Sequence, residues 1–265
     1  MLAWNGKPLY YNNGFINYGV NYNPLNLPPY TIRVRTYDGR EPSGAINHRI
    51  TVNNVYDNVY DVTVTANETN WSGLFSRYVP SSSRPYFDCN VTDVLGANST
   101  NVVNMGDMFF GVSSLSCVNL FDTSNVTIMD RVFAQCRNLS SIPEGFNTSN
   151  VSSTMGMFAV SNLTATPNID TKNNKNFGYM FEFCHSLKKI KPLDYTSAKW
   201  VYGIYEWCEN AEEGISSTYN TLKDIPAITA FNSNYQRAFS ACGVSSQHGS
   251  AELAQVPRAW GGTAP

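Results

Sequence analysis

One aromatic residue returns through this chain in register with a later aliphatic one. Phe75, Phe109, Phe133, Phe158, Phe181, Tyr205 and Phe239 are followed in turn by Val91, Leu115, Leu139, Leu163, Leu187, Leu222 and Leu253. The aliphatic positions recur after 24 residues four times, then after 35 and 31. A repeat of this length cannot bury its own apolar face and must stack on its neighbour. The spacing therefore predicts an α/β solenoid, right-handed and of about seven coils, each with a short helical half and a short strand half. Three regions are expected: an N-terminal arm over 1–29, a small β-rich cap over 30–66, and the repeats over 67–265.

Within a repeat, residues about four apart share one helical face, so Met129, Phe133 and Cys136 are read as one buried stripe and Phe177, Phe181 and Cys184 as the next. The strand half is read from the pairs Leu115/Val118, Leu139/Ile142, Leu163/Thr166, Leu187/Ile190, Leu222/Ile225 and Leu253/Val256. Turns follow at Asp122-Thr123-Ser124, Asn147-Thr148-Ser149, Asp170-Thr171 and Asp194-Tyr195-Thr196, where Asx side chains stabilise corners and hydroxyls cap the next turn. Repeats are expected to begin near Ala66, with excess residues at Ser81–Arg84, Glu209–Asn220 and Ser245–Ala251. Such excess emerges on one side of a stack, and 209–220 is expected to be dispensable for folding. Before the repeats, alternation marks a strand over Tyr30–Thr36, with further strands over Ile46–Val52 and Val59–Val64.

Composition narrows the function. Hydrophobic residues make up 42% of the chain, enough for a core, while charged residues reach only 14% and the formal net charge is −2. Binding nucleic acid needs clustered Lys and Arg, so it is excluded as the main role, and Lys188, Lys189 and Lys191 read as a solvated strand edge. No secretory signal pattern is read in the first twenty residues, and no apolar run of about 18 residues suits a membrane span. Cys136, Cys184, Cys208 and Cys242 each stand three residues after a repeat aromatic, a spacing that suits small buried thiols better than disulfides or a metal site.

Catalytic patterns are missing. His185 beside Cys184 would point away from it on a helix, and the Asp122-Thr123-Ser124 run recurs as a structural corner, whereas acid proteases need two such loops face to face. No phosphate loop, nucleophile elbow or zinc-helix motif is present. No catalytic residue, cofactor or metal is expected.

The runs LFDTSNVTIMDRVFAQCRNLSSI (120–142) and NFGYMFEFCHSLKKI (176–190) resemble BspA-type leucine-rich repeats. That resemblance implies a BspA-like solenoid and a surface protein engaged in adhesion. A β-rich start, such repeats and the ending AELAQVPRAWGGTAP are also similar to tail or fibre-associated proteins of gut bacteriophages. The expected function is thus a non-enzymatic virion structural or host-recognition protein, located in the virion. The alternative is an adhesin or interaction module at the bacterial cell surface. Expected partners are other virion proteins through the arm, a host surface glycan or protein, and a second copy of the chain. Inward anchors are committed to packing, so ligand contacts are assigned to Ser140, Lys188, Lys189, Glu209, Glu212, Glu213 and Tyr219.

Overall fold

The computed structural model describes residues 26–43, 50–65, 69–76 and 89–265 in full, and the backbone of 3–4, 7–12 and 15–18. Parts of the arm (1–2, 5–6, 13–14 and 19–25), the expected start near Ala66, the excess at Ser81–Arg84 and the first part of the strand expected over 46–52 lie outside the described residues. In the arm region, β1 (Ala3–Trp4), β2 (Lys7–Asn12) and β3 (Phe15–Tyr18) form an antiparallel sheet in the order β1-β2-β3.

A second sheet of five strands organises the next part of the chain. It contains β4 (Thr31–Thr36), β5 (Ile50–Tyr56), β6 (Val59–Val64), β7 (Val91–Asn98) and β8 (Cys117–Val118), in the order β5-β6-β4-β7-β8. Strand β4 is central because it alternates: Ile32 and Val34 are fully buried, and the intervening Arg33 reaches sideways to Asp61 on β6 at 2.6 Å. The sheet is antiparallel up to β7 and changes to parallel at β7–β8, where Asp93 faces Cys117 and Val94 faces Val118. Parallel pairing then continues as single bridges, through Asn70, Asn104, Ile128, Ser153, Asn176 and Trp200 in one column and Ala165, Lys189 and Glu213 in another.

The α/β solenoid expected from the spacing is not what forms. The regular structure is mostly β, built on the five-stranded mixed sheet. Helices are few among the described residues: α1 (Ile215–Leu222), α2 (Pro226–Thr229) and α3 (Gln247–Leu253). None of them occupies an expected helical half.

The reason lies in where the backbone donors go. The N–H groups of Met108, Phe110 and Val112 bond back three residues, to the carbonyls of Met105, Asp107 and Phe109. Those of Met105, Asp107, Phe109 and Gly111 instead cross to Ile128, Asp130, Val132 and Ala134 in the next repeat. An α-helix needs consecutive donors to bond four residues back within one segment. Here every second donor is committed to a neighbour, and the segment becomes a chain of overlapping tight turns. Such turns need left-handed residues, found at Asp107, Arg131, Gln135, Val160, Tyr179, Phe183, Trp207, Arg237 and Ala241 as well as at glycines.

Along these turns the repeat aromatics form one column. Rings stack nearly parallel from Phe75 to Phe109 (5.4 Å), Phe133 (5.8 Å), Phe158 (5.8 Å), Phe181 (5.7 Å), Tyr205 (5.2 Å) and Phe239 (5.9 Å). Leu115, Leu139, Leu163 and Leu187 are fully buried opposite them. The last two expected strand anchors are different: Leu222 lies in α1 and Leu253 in α3. Ala211, fully buried and three residues after Cys208, takes the place that Leu187 holds after Cys184. The 24-residue period therefore runs on to Ala211, and the excess falls after it.

Truncating the middle of the column, Phe133→Ala, should cost about 3–5 kcal/mol in denaturant unfolding, as for other fully buried aromatics. Gln135 is exposed with φ of +60°, so Gln135→Gly should raise stability by about 0.5–1 kcal/mol by removing left-handed strain.

Candidate functional site

The residues assigned to binding from sequence fall into three settings. Lys188 and Lys189 are exposed and meet the next repeat in ion pairs, Lys188 Nζ to Glu212 Oε1 at 2.5 Å and Lys189 Nζ to Glu213 Oε2 at 2.7 Å. His185 Nδ1 lies 3.3 Å from Glu209 Oε1 in the same cross-repeat pattern. Glu213 is held below the usual carboxylate range by its hydrogen bond to Lys189. These exposed pairs align neighbouring repeats and contribute little stability each.

Ser140 is exposed and lines a cavity of about 660 Å³ with Glu144, Thr164, Thr166, Asn168 and Lys191, on the strand side of the central repeats. Tyr219 is elsewhere. It sits on α1, half-buried, with its ring edge against Trp260 at 5.5 Å. The segment 209–220 is not dispensable: residues 209–213 belong to the repeat ladder, and Ala211 and Ile215 are fully buried. At the start of α1, the N–H groups of Ile215 and Ser216 donate to Glu252 Oε2 of α3, which ties the two helices together.

The opposite, turn side carries a groove of about 490 Å³ that the sequence reading did not single out. Two columns of the ladder create it. Two residues before the core aromatic stand Asp107, Arg131, Gly156, Tyr179, Gly203 and Arg237; one residue after it stand Phe110, Ala134, Ala159, Glu182, Glu206 and Ser240. Gly156 presents no side chain between Arg131 and Tyr179, and the gap is the groove, floored by Ala134 and Ala159. At one end Arg131 Nε bonds Asp107 Oδ1 at 2.8 Å, and its guanidinium lies 5.8 Å from the Phe110 ring. At the other, Arg237 pairs with the buried Glu206 and lies 6.0 Å from the Tyr202 ring.

Half-buried Glu182 has no salt bridge, and its pKa is raised by burial and then by the charge of Glu206. Glu206 itself is buried, and its Oε2 has no hydrogen-bond partner. Beside the groove, Phe183 and Trp207 stack at 6.0 Å with planes 4° apart, and Trp207 is 42% exposed. The signal was available in the sequence only as aromatics and acids at offsets that a helical reading scatters around a cylinder.

The thiols, His185 and the corner side chains make contacts within the fold. Cys136, Cys184 and Cys208 are buried, and each thiol donates to the carbonyl of a repeat aromatic: Phe109 at 3.2 Å, Phe158 at 3.2 Å and Phe181 at 3.0 Å. All six cysteines are free. His185 is exposed and turned to Glu209, so it makes no dyad with Cys184. Asp122 and Asp194 accept the N–H groups of Ser124 and Thr196, while Thr123, Thr148 and Thr171 donate across repeats to the carbonyls of Asn147, Asp170 and Asp194. The hydroxyls thus join coils; they do not cap helices. Among the described residues no helix is long and apolar enough to cross a membrane, and no cluster of metal-ligating side chains is formed.

Residues 81–193 match the family described as "Mycoplasma protein of unknown function, DUF285". No curated protein matches the chain. Among solved structures, a leucine-rich repeat protein from Bacteroides ovatus ATCC 8483 aligns at 17% identity and a TM-score of 0.34. The alignment covers 63% of this chain and 45% of that one, so this chain spans less than half of that protein's length.

Burial raises the pKa of Cys136, Cys208 and Cys242, and pushes that of Cys184 up to about 11. An unfolded thiol ionises near pH ~8.5. Stability from the neutral buried thiols is therefore whole below that pH and is lost as pH rises toward the folded values. Tm should fall between about pH 8 and about pH 10.5, and the fall should be smaller in Cys184→Ser. In the native protein a thiol reagent should modify half-buried Cys117 first, and the buried thiols only after unfolding.

Proposed function

We propose that this chain is a non-enzymatic interaction module of the adhesive kind, displayed at a bacterial cell surface. One observation carries the reading. Each repeat directs its aromatic, aliphatic and thiol side chains into one shared core, so the outward residues of successive repeats form long continuous faces. A surface of that kind suits contact with an extended partner better than enclosure of a small substrate. The BspA-type motif over 120–142 and 176–190 supports an adhesive role, and it lies within residues 81–193, which match a family described only as a Mycoplasma protein of unknown function.

The virion reading has less behind it. It rests on the similarity of the β-rich start, the repeats and the ending AELAQVPRAWGGTAP to phage tail proteins, a looser likeness than the repeat motif itself. The ion-paired strand-side residues Lys188, Lys189, Glu209, Glu212 and Glu213, with Ser140, remain a contact surface under this proposal. Tyr219 is dropped from it because it packs against Trp260.

Antibody labelling of intact cells that carry the gene tests the placement. Intact cells should label as strongly as permeabilised ones. Labelling only after permeabilisation, or recovery of the chain in purified phage particles, would overturn it.

A further inference from the structure

At two positions of the turn ladder neighbouring repeats carry smaller residues than this one does. Tyr179 adopts φ of +57°, the left-handed region that L side chains avoid, while the equivalent residues on either side are Gly156 (φ +60°) and Gly203 (φ +59°). A Cβ on Gly203 would stand 2.9 Å from the Tyr179 ring, so that glycine makes room for the ring. Half-buried Glu182, without a salt bridge among the described residues, stands where the two preceding repeats place Ala134 and Ala159 and the next places Glu206, which is paired with Arg237. The ladder tolerates Gly and Ala at these places. The larger ring and the half-buried carboxyl are therefore not needed to stack repeats, and both line the groove.

The groove between them also limits its ligand. Among the described residues that line the groove, Arg131 is paired with Asp107 and Arg237 with Glu206, so neither is free to hold an anion. Glu182 is the remaining acid of the groove, and burial raises its pKa, which weakens it as a counter-ion for a cationic side chain. What remains is a mixed set of hydrogen-bonding groups, Glu182 as an acceptor and the arginines as donors. An apolar floor and the Tyr179 ring lie beside them. A neutral pyranose presents this complement: hydroxyls around its rim and an apolar C–H face that packs on an aromatic ring.

Resting on the adhesive reading above, we infer that the turn-side groove is a glycan-binding site: a neutral hexose packs against Tyr179 over Gly156 and Ala159, with its hydroxyls held by Glu182 and Arg237. The stacked pair Phe183 and Trp207 lies beside the groove, where a second sugar of the same chain can rest.

Calorimetric titration of the whole chain with neutral gluco-, manno- and galacto-oligosaccharides tests this. At least one series should bind. Tyr179→Gly and Glu182→Ala should each weaken it about tenfold, the worth of one stacked ring or one charge-assisted hydrogen bond. Both variants restore what neighbouring repeats already carry, so both should fold, and Tyr179→Gly should raise Tm as it loses affinity. A purely structural Tyr179 would not give that opposite pairing. Lys223→Ala, at the C-terminal end of α1, should bind as the parent does. The inference is overturned if no neutral oligosaccharide binds, if binding is indifferent to both groove variants, or if an acidic or basic peptide occupies the groove in its place. Cell-surface labelling is unaffected by these outcomes, so the site can fail while the adhesive reading stands.

Discussion

Everything in the repeat region depends on a division of labour among backbone donors. In each turn segment alternate N–H groups close local turns, and the others cross to the next repeat, as Phe109 does to Val132 and Phe133 to Met157. No segment satisfies its own backbone, so none is stable alone, and buried unpaired donors are costly. The stacked aromatic column makes the crossing favourable. It sets the repeats at ring-contact distance and removes the largest apolar side chains from water. Thiols beneath the rings and hydroxyls at the corners then close remaining carbonyls, with Cys184 bonding Phe158 and Thr148 bonding Asp170.

The same division leaves a cost at fixed places. Overlapping turns require left-handed residues, and this chain uses Asp, Arg, Gln, Val, Tyr, Phe, Trp and Ala there more often than Gly. Where a glycine does occur, at Gly156, the surface opens. The two sides of the stack consequently differ. The strand side is laced by ion pairs between successive repeats, such as Lys188 to Glu212. The turn side carries the left-handed residues, the half-buried Glu182 and the exposed Trp207 ring. The far end of the stack is closed by the aromatic contacts of Trp260 with Tyr235 and Tyr219 and by the bond from Glu252 to the start of α1.

How much of this could be read beforehand differs residue by residue. The column from Phe75 to Phe239 and the buried Cys136, Cys184 and Cys208 follow from spacing, because a ring or thiol that recurs at a fixed place must meet its copy in the next repeat. The continuation at Ala211 was hidden, since a small residue gives no hydrophobic signal while Leu222, close by, gives a strong one and lies in α1. The strand-side site residues were legible as exposed, but their mutual pairing was not. It depends on which repeat lies beside which at ångström scale. The turn-side groove was illegible for a related reason: Arg131, Tyr179 and Arg237 line one side only when every repeat places the same offset outward.

By itself the sequence determined that the chain stacks, which side chains meet inside, and that the interior thiols and corner carboxylates serve structure. These follow from period and polarity, which survive any choice of local conformation. Only the tertiary structure decided that the stack is built from β strands, bridges and tight turns in place of the expected α/β solenoid. The residues Met129, Phe133 and Cys136 satisfy a helical spacing and a turn ladder equally well, so their pattern cannot choose between them. The choice belongs to the backbone donors, and their partners are carbonyls some 24 residues away that exist as acceptors only once the next repeat is in place.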